Sequence, residues 1–175
     1  MPIHFRQGGG CLLNVGDKIV YPMHGAGVIS AIEHCEVLGE SKSYYVLRLP
    51  LGSVKVMIPV DNADNIGLRD IISEEKLQEV LSVLREKPER LTGSWNKRFH
   101  ANLERMKKGD LCDVAAVARN LIQQDKQRRI SSGEKRLMDL AKQILVSELV
   151  YACHKEPEEV ERWLEELMTK KTLEH

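Results

Sequence analysis

The chain is short of aromatic rings, of paired cysteines and of long apolar runs, and each shortage excludes a class of protein. No apolar run approaches the ~18 residues that a membrane-crossing helix needs, which excludes an integral helical membrane protein. Met1–Gly10 carries Arg6 and three glycines but no apolar core, so a secretory signal is not expected. The four cysteines, Cys11, Cys35, Cys112 and Cys153, are scattered and form no CxxC pair. That excludes a zinc ribbon or a thioredoxin-type site and suits a reducing, cytoplasmic setting. Neither charge sign dominates, with 26 basic and 26 acidic residues among 175. There is no GxxxxGK[ST], no GxGxxG after a strand, no HExxH and no GxSxG. His24, His34, His100 and His154 stand alone, whereas a metal site needs several donors converging. Cys153 and His154 are neighbours, and neighbours on a helix point about 100° apart, which disfavours a Cys–His dyad. The expectation is a protein that is not an enzyme, with no metal, cofactor or small-molecule substrate.

Two kinds of pattern remain. From Lys18 to Pro59, short β-branched runs alternate with turn signals: Lys18–Pro22, Val28–Val37, Ser43–Leu49 and Val54–Pro59. Gly25-Ala26-Gly27 reads as a turn, and Val28, Ser30 and Ile32 share a parity. Strands spaced this way predict a small antiparallel β-barrel with little core of its own, which docks on the rest or presents an edge strand. After residues 66–73 the period changes. Ser73 is placed to cap a helix striped by Leu77, Val80, Leu81 and Leu84, which Pro88 ends. Phe99, Leu103 and Met106 mark a second helix, Asp110 caps a third, and Ser131–Glu134 has capping-box spacing ahead of a long fourth. Pro157 opens a fifth, in which Trp163 is expected to be core. The class is therefore α+β with two domains: a flexible leader at 1–13, a β-barrel at 14–68, a helical bundle at 73–171 and a tail at 172–175. Leu173-Glu174-His175 resembles the stump of a purification tag.

Charge is not evenly spread. Residues 85–136 hold fourteen basic and seven acidic side chains, against six and seven in 1–72. Local asymmetry of this kind speaks of a partner more than of a fold, although solvated helix faces give the same count. Within this stretch Trp95 stands at a helix start beside Lys97 and Arg98, just after the Thr92-Gly93-Ser94 break. An indole flanked by cations suits a wedge entering a base step while the cations hold phosphates. It also suits a ring that packs back on a neighbouring helix, and both readings stand. Lys126 and Arg129 lie near helix ends and extend the same positive face if the helices pack suitably.

The run Val15-Gly16-Asp17-Lys18-Ile19-Val20-Tyr21-Pro22-Met23-His24-Gly25-Ala26-Gly27-Val28 resembles the opening of the CarD/CdnL transcription regulators. Asn62–Arg69, Trp95–Glu104, Ser132–Leu137 and Gln143–Leu149 continue the resemblance in order, over about residues 14–155. The opening is shared with the polymerase-binding module of transcription-repair coupling factors. The tryptophan and SGEKR segments separate the two, as does the lack of a Walker motif. The resemblance implies a Tudor-like N-terminal domain that binds the RNA polymerase β subunit, partly by strand addition. It also implies a helical domain on promoter DNA at the upstream edge of the −10 region. There Trp95 wedges into the minor groove, Lys97 and Arg98 contact the backbone, and the open complex is favoured. His100 stands where relatives often carry lysine, and Cys35 and Met57 stand where some use arginine. On this reading DNA meets Trp95, Lys97, Arg98, His100, Lys126 and Arg129. Polymerase meets the strands around Val28, Cys35, Tyr45, Leu47, Lys55 and Met57. The chain is expected to act as a cytoplasmic monomer associated with the nucleoid through polymerase. The rival is an adaptor whose helical domain binds protein in place of DNA.

Overall fold

Residues 12–169 are described by the computed structural model of the chain; the terminal tripeptide and all of the expected leader but its last two residues lie outside them. The N-terminal unit is an antiparallel sheet in the order β1 (Lys18–Tyr21), β2 (Gly25–Val37), β3 (Glu40–Arg48), β4 (Lys55–Pro59). It does not close into the expected barrel. β1 and β4 are only four and five residues long, too short to wrap around with the tilt that closure needs. The core is completed instead by Leu13, Ala63 and Leu68 from the flanking segments, and Val20 forms a lone bridge with Arg69 beside β1. Leu13, read as part of the leader, is buried, and its N–H donates to the hydroxyl of buried Tyr45 at 3.3 Å.

Gly25-Ala26-Gly27 belongs to β2 and is not a turn; the chain reverses at Tyr21–His24, where the His24 N–H donates to the Tyr21 carbonyl. Gly27 runs so close to β3 that a Cβ there would lie 2.5 Å from the Arg48 carbonyl oxygen. At the far end, Leu38 and Gly39 take positive φ values of 54° and 79°, the geometry of a two-residue hairpin turn.

The helical unit is α1 (Glu74–Arg85), α2 (Trp95–Lys107), α3 (Leu111–Gln127), α4 (Ser132–Cys153) and α5 (Pro157–Thr169). The expected caps are present: Ser73 accepts from the Lys76 N–H, Asp110 from the Cys112 N–H, and Ser131 and Glu134 form a reciprocal capping box. Burial alone would raise the Asp110 carboxyl, but the Cys112 N–H and the Lys76 ammonium outweigh it and hold the group below the ordinary aspartate value. Leu77, Val80, Leu81 and Leu84 join Val114, Leu121, Leu145 and Leu149 in one core. Trp163 packs partly against that core with the Lys155 ammonium 5.2 Å from its ring centre.

The two units meet through α4. The Ala26 N–H donates to the buried Ser147 hydroxyl at 2.9 Å, which itself donates to the Ile144 carbonyl. Next to it, the fully buried Glu148 carboxylate accepts from both terminal nitrogens of Arg69, at 2.6 and 2.8 Å, and from the Ile72 N–H at 3.0 Å. A bidentate Arg–carboxylate pair with an added amide donor is the arrangement that makes a buried charge tolerable. Removing its cation strands the anion. Arg69→Met is expected to cost about 3 kcal/mol in urea unfolding, the lower end for a broken buried pair.

Candidate functional site

α2 begins abruptly. Gly93 takes φ +103°, and the Ser94 hydroxyl accepts from the Lys97 N–H as the cap. Trp95 is the first helical residue and is 55% exposed. It is the one large apolar side chain of the helical unit left exposed among the described residues. More than half of its surface is open, so the ring is not sealed in the bundle core. The other four helices carry a carboxylate in the first turn, and α2 carries none. The positive end of its dipole is left uncompensated where the indole protrudes, an arrangement that favours an approaching anion.

The cations named from sequence do not behave alike. Lys97 is exposed and makes no ion pair among the described residues, and His100 is exposed with its ring edge toward Phe99. Arg98 is a correction. Its side chain is only 18% exposed, one terminal nitrogen donates to the Gly93 carbonyl at 2.8 Å, and its Nε lies 3.4 Å from buried Glu134. The expected backbone-contacting guanidinium is largely used inside the fold, tying the start of α2 to the start of α4. Phe99 supports the same junction, 3.8 Å from where a Cβ on Gly133 would stand. Lys126 is exposed and lines a groove of about 690 Å³ with Leu51, Val54 and Leu164. Arg129 is exposed just before the α4 cap.

The bundle's acids explain where its free charge comes from. Glu86 and Glu89 pair with Arg119, Glu89 and Asp113 with Arg105, Glu104 with Lys107, and Glu134 with Arg98. Lys97, Arg129, Lys135 and Arg136 are all exposed and are in no ion pair among the described residues.

On the sheet, register sorts the expected polymerase contacts. Directly opposite residues share a face: Val28 with Arg48, Arg48 with Lys55, Val46 with Met57, and Cys35 with Lys42. Val28, Cys35, Lys55 and Met57 therefore lie on one face, with Met57 41% exposed. Tyr45 and Leu47 do not join them. They point the other way and are 1% and 0% exposed in the core, so they are corrected from surface contacts to packing residues. A bulge between Ile29 and Ala31 shifts the parity of β2, which broke the alternation read through Val28, Ser30 and Ile32. The β3 residues of the outer face are Lys42, Tyr44, Val46 and Arg48. Sequence reading also missed Ser147 and Glu148, whose signal was two polar residues on the apolar stripe of α4. β4 pairs with β3 alone among the described strands, leaving its second edge open.

Glu134 carries both the α4 cap and the Arg98 contact. Glu134→Ala is expected to cost about 2 kcal/mol in chemical denaturation, above the ~1 kcal/mol of a lost cap, because a half-buried guanidinium loses its partner.

Comparison with known proteins agrees with this division. Residues 13–72 match the CarD-like/TRCF RID domain, and residues 79–165 match the C-terminal domain of CarD. A putative transcription factor, YdeB of Bacillus subtilis, is 33% identical over 138 residues, 79% of this chain and 90% of its own length. The transcription-repair-coupling factor of Staphylococcus aureus is 29% identical over 75% of this chain, which spans 10% of that larger protein. A solved structure described as CdnLNt from Myxoccoccus xanthus is 42% identical, covering 41% of this chain and 94% of its own at a TM-score of 0.33. The two family models and the Bacillus subtilis relative point to a transcription factor. With both halves matched in order, the chain belongs to the CarD/CdnL family of transcription regulators.

Proposed function

We propose that this protein stabilises the open promoter complex by holding RNA polymerase with its sheet and propping promoter DNA with Trp95. The Tudor-like N-terminal unit meets the polymerase β subunit through the face that carries Val28, Cys35, Lys55 and Met57 and through the open edge of β4. The helical unit meets DNA at the upstream edge of the −10 bubble, where the Trp95 indole enters the minor groove and Lys97 holds phosphate. The observation that carries this reading is the exposed indole at a helix start that has a positive dipole end, a free lysine and no carboxylate in its first turn. Arg98 enters as the brace of that tip.

Magnitudes favour joint action over independent DNA binding. Neutralising two or three phosphates yields only weak, salt-sensitive binding, with Kd roughly 10⁻⁴–10⁻⁶ M. Attachment through polymerase raises the local DNA concentration toward the millimolar range. A wedge is cheapest where bases are already unstacking, so it binds the open state better than the closed one. A preference of about 1.4 kcal/mol shifts that equilibrium tenfold.

Trp95→Ala is expected to keep the thermal midpoint and polymerase affinity of the wild type while shortening open-complex lifetime about tenfold. An unchanged lifetime overturns the wedge. On the sheet, Met57→Glu is expected to weaken polymerase binding at least tenfold without unfolding, as a charge placed in a contact face does. Leu47→Glu is expected to unfold the N-terminal unit. Equal polymerase binding by Met57→Glu and wild type overturns the proposed face.

A further inference from the structure

A second feature of the helical unit is not absorbed by the wedge. The stretch between α1 and α2 and the outer side of α3 enclose an open groove of about 1190 Å³. Arg85, Lys87, Arg90 and Arg128 line it, all exposed and without an ion pair among the described residues. The carboxylates of the same stretch are occupied: Glu86 and Glu89 lie 3.3 and 3.4 Å from Arg119, and Glu89 also lies 3.0 Å from Arg105. The α3 wall presents neutral amides, Asn120, Gln124 and Gln127, at helical spacing.

Asn120 is the informative member. It is 5% exposed, and its side-chain oxygen accepts from the Glu89 N–H at 2.9 Å and from two Arg119 nitrogens at 3.1 and 3.2 Å. Three converging donors fix the amide orientation, so the group left over is the NH₂. That Nδ2 is buried and has no acceptor. An orphaned buried donor carries a desolvation cost that an incoming acceptor relieves. The groove thus combines four free cations with a buried donor that lacks an oxygen. Its wall runs on from Arg90, Leu91 and Thr92 directly into Gly93, Ser94 and Trp95.

We propose that this groove binds the phosphate backbone of nucleic acid, with Asn120 Nδ2 donating to a phosphate oxygen and the four cations holding its neighbours. The inference rests on the reading that the helical unit faces DNA, and it adds a second contact region beside the indole. An open groove whose lining ends three residues before Trp95 in the chain favours a polymer's phosphates over a free anion, which a closed nest of donors would suit better.

The test uses the full chain and a fluorescein-labelled DNA duplex with a central bubble, with anisotropy followed across a salt series. In a Lys87→Gln, Arg90→Gln, Arg128→Gln variant the log Kd against log salt slope is expected to fall by about 0.7–0.9 per charge removed. Asn120→Asp keeps an acceptor for Glu89 and Arg119 but turns the donor into a second oxygen, and is expected to weaken binding about tenfold at unchanged slope. Should Asn120→Asp lower the melting temperature, the triple variant decides, since its three side chains are exposed. A slope and affinity equal to wild type in the triple variant overturn the groove. Sodium pyrophosphate is the second arm and is expected to give no saturable thermal stabilisation. Stabilisation that the triple variant loses while DNA affinity stays intact reassigns the groove to a free anion and overturns the proposal. Trp95→Ala in the same assay separates the two readings. If it weakens DNA binding and the groove variants do not, the groove alone fails. If all the variants bind DNA like wild type, the DNA reading of the helical unit fails with it.

Discussion

The contact on which everything else depends is the seating of one sheet strand against two adjacent residues of α4. Ser147 takes the Ala26 amide and Glu148 takes Arg69 and the Ile72 amide, so consecutive side chains hold both sides of the junction. The approach is close enough that a Cβ on Gly25 would lie 2.6 Å from the Ser147 hydroxyl, at a φ of +120° that only glycine adopts without strain. A nine-residue buried cluster such as the sheet's is too small to be secure alone, and it gains by leaning on the larger bundle. Buried polar contacts of this kind add modestly to stability but fix one orientation of the two units.

Charge is divided along the same lines. In the bundle, acids are spent on particular arginines: Arg119 under the α1–α2 stretch, Arg105 against α3, Arg98 against α4. Those pairs are partly or deeply buried and hold helices in place. Among the cations left unpaired are Lys97 beside Trp95 and Arg85, Lys87, Arg90 and Arg128 of the groove. A protein neutral in total thus combines exposed cations on the helical unit with a sheet face on which Met57 is exposed. Salt screens the exposed charges of the first and acts little on the apolar surface of the second.

Much of this was legible in the sequence. The helix stripes, the caps at Ser73, Asp110 and Ser131 and the approximate strands all follow from local periodicity and capping chemistry, which act within a few residues. Trp95 was legible as well, because an indole at a capped helix start departs from the apolar stripe. What escaped depends on contacts between distant residues. The bulge after Ile29 inverts which β2 residues face outward, and nothing in the alternation marks it. Tyr45 and Leu47 were read as surface for want of the register. Arg98 was read as a free cation because its partner, Glu134, lies 36 positions on and was visible only as a cap. The open sheet turns on its two outer strands, β1 and β4, which are each one residue shorter than the runs read from sequence.

α4 joins the two ends of the molecule as a ruler. Glu134, near its start, braces the Trp95 tip through Arg98, and Ser147, thirteen residues later, seats the sheet. At 1.5 Å per residue that sets about 20 Å between the two fixing points. The span between the seat of the sheet and the indole tip is therefore written into a residue count. One residue added between Glu134 and Ser147 lengthens it by only ~1.5 Å but swings one anchor about 100° around the axis relative to the other. Evolution can repaint either surface freely, yet the spacing between them can change only by whole turns.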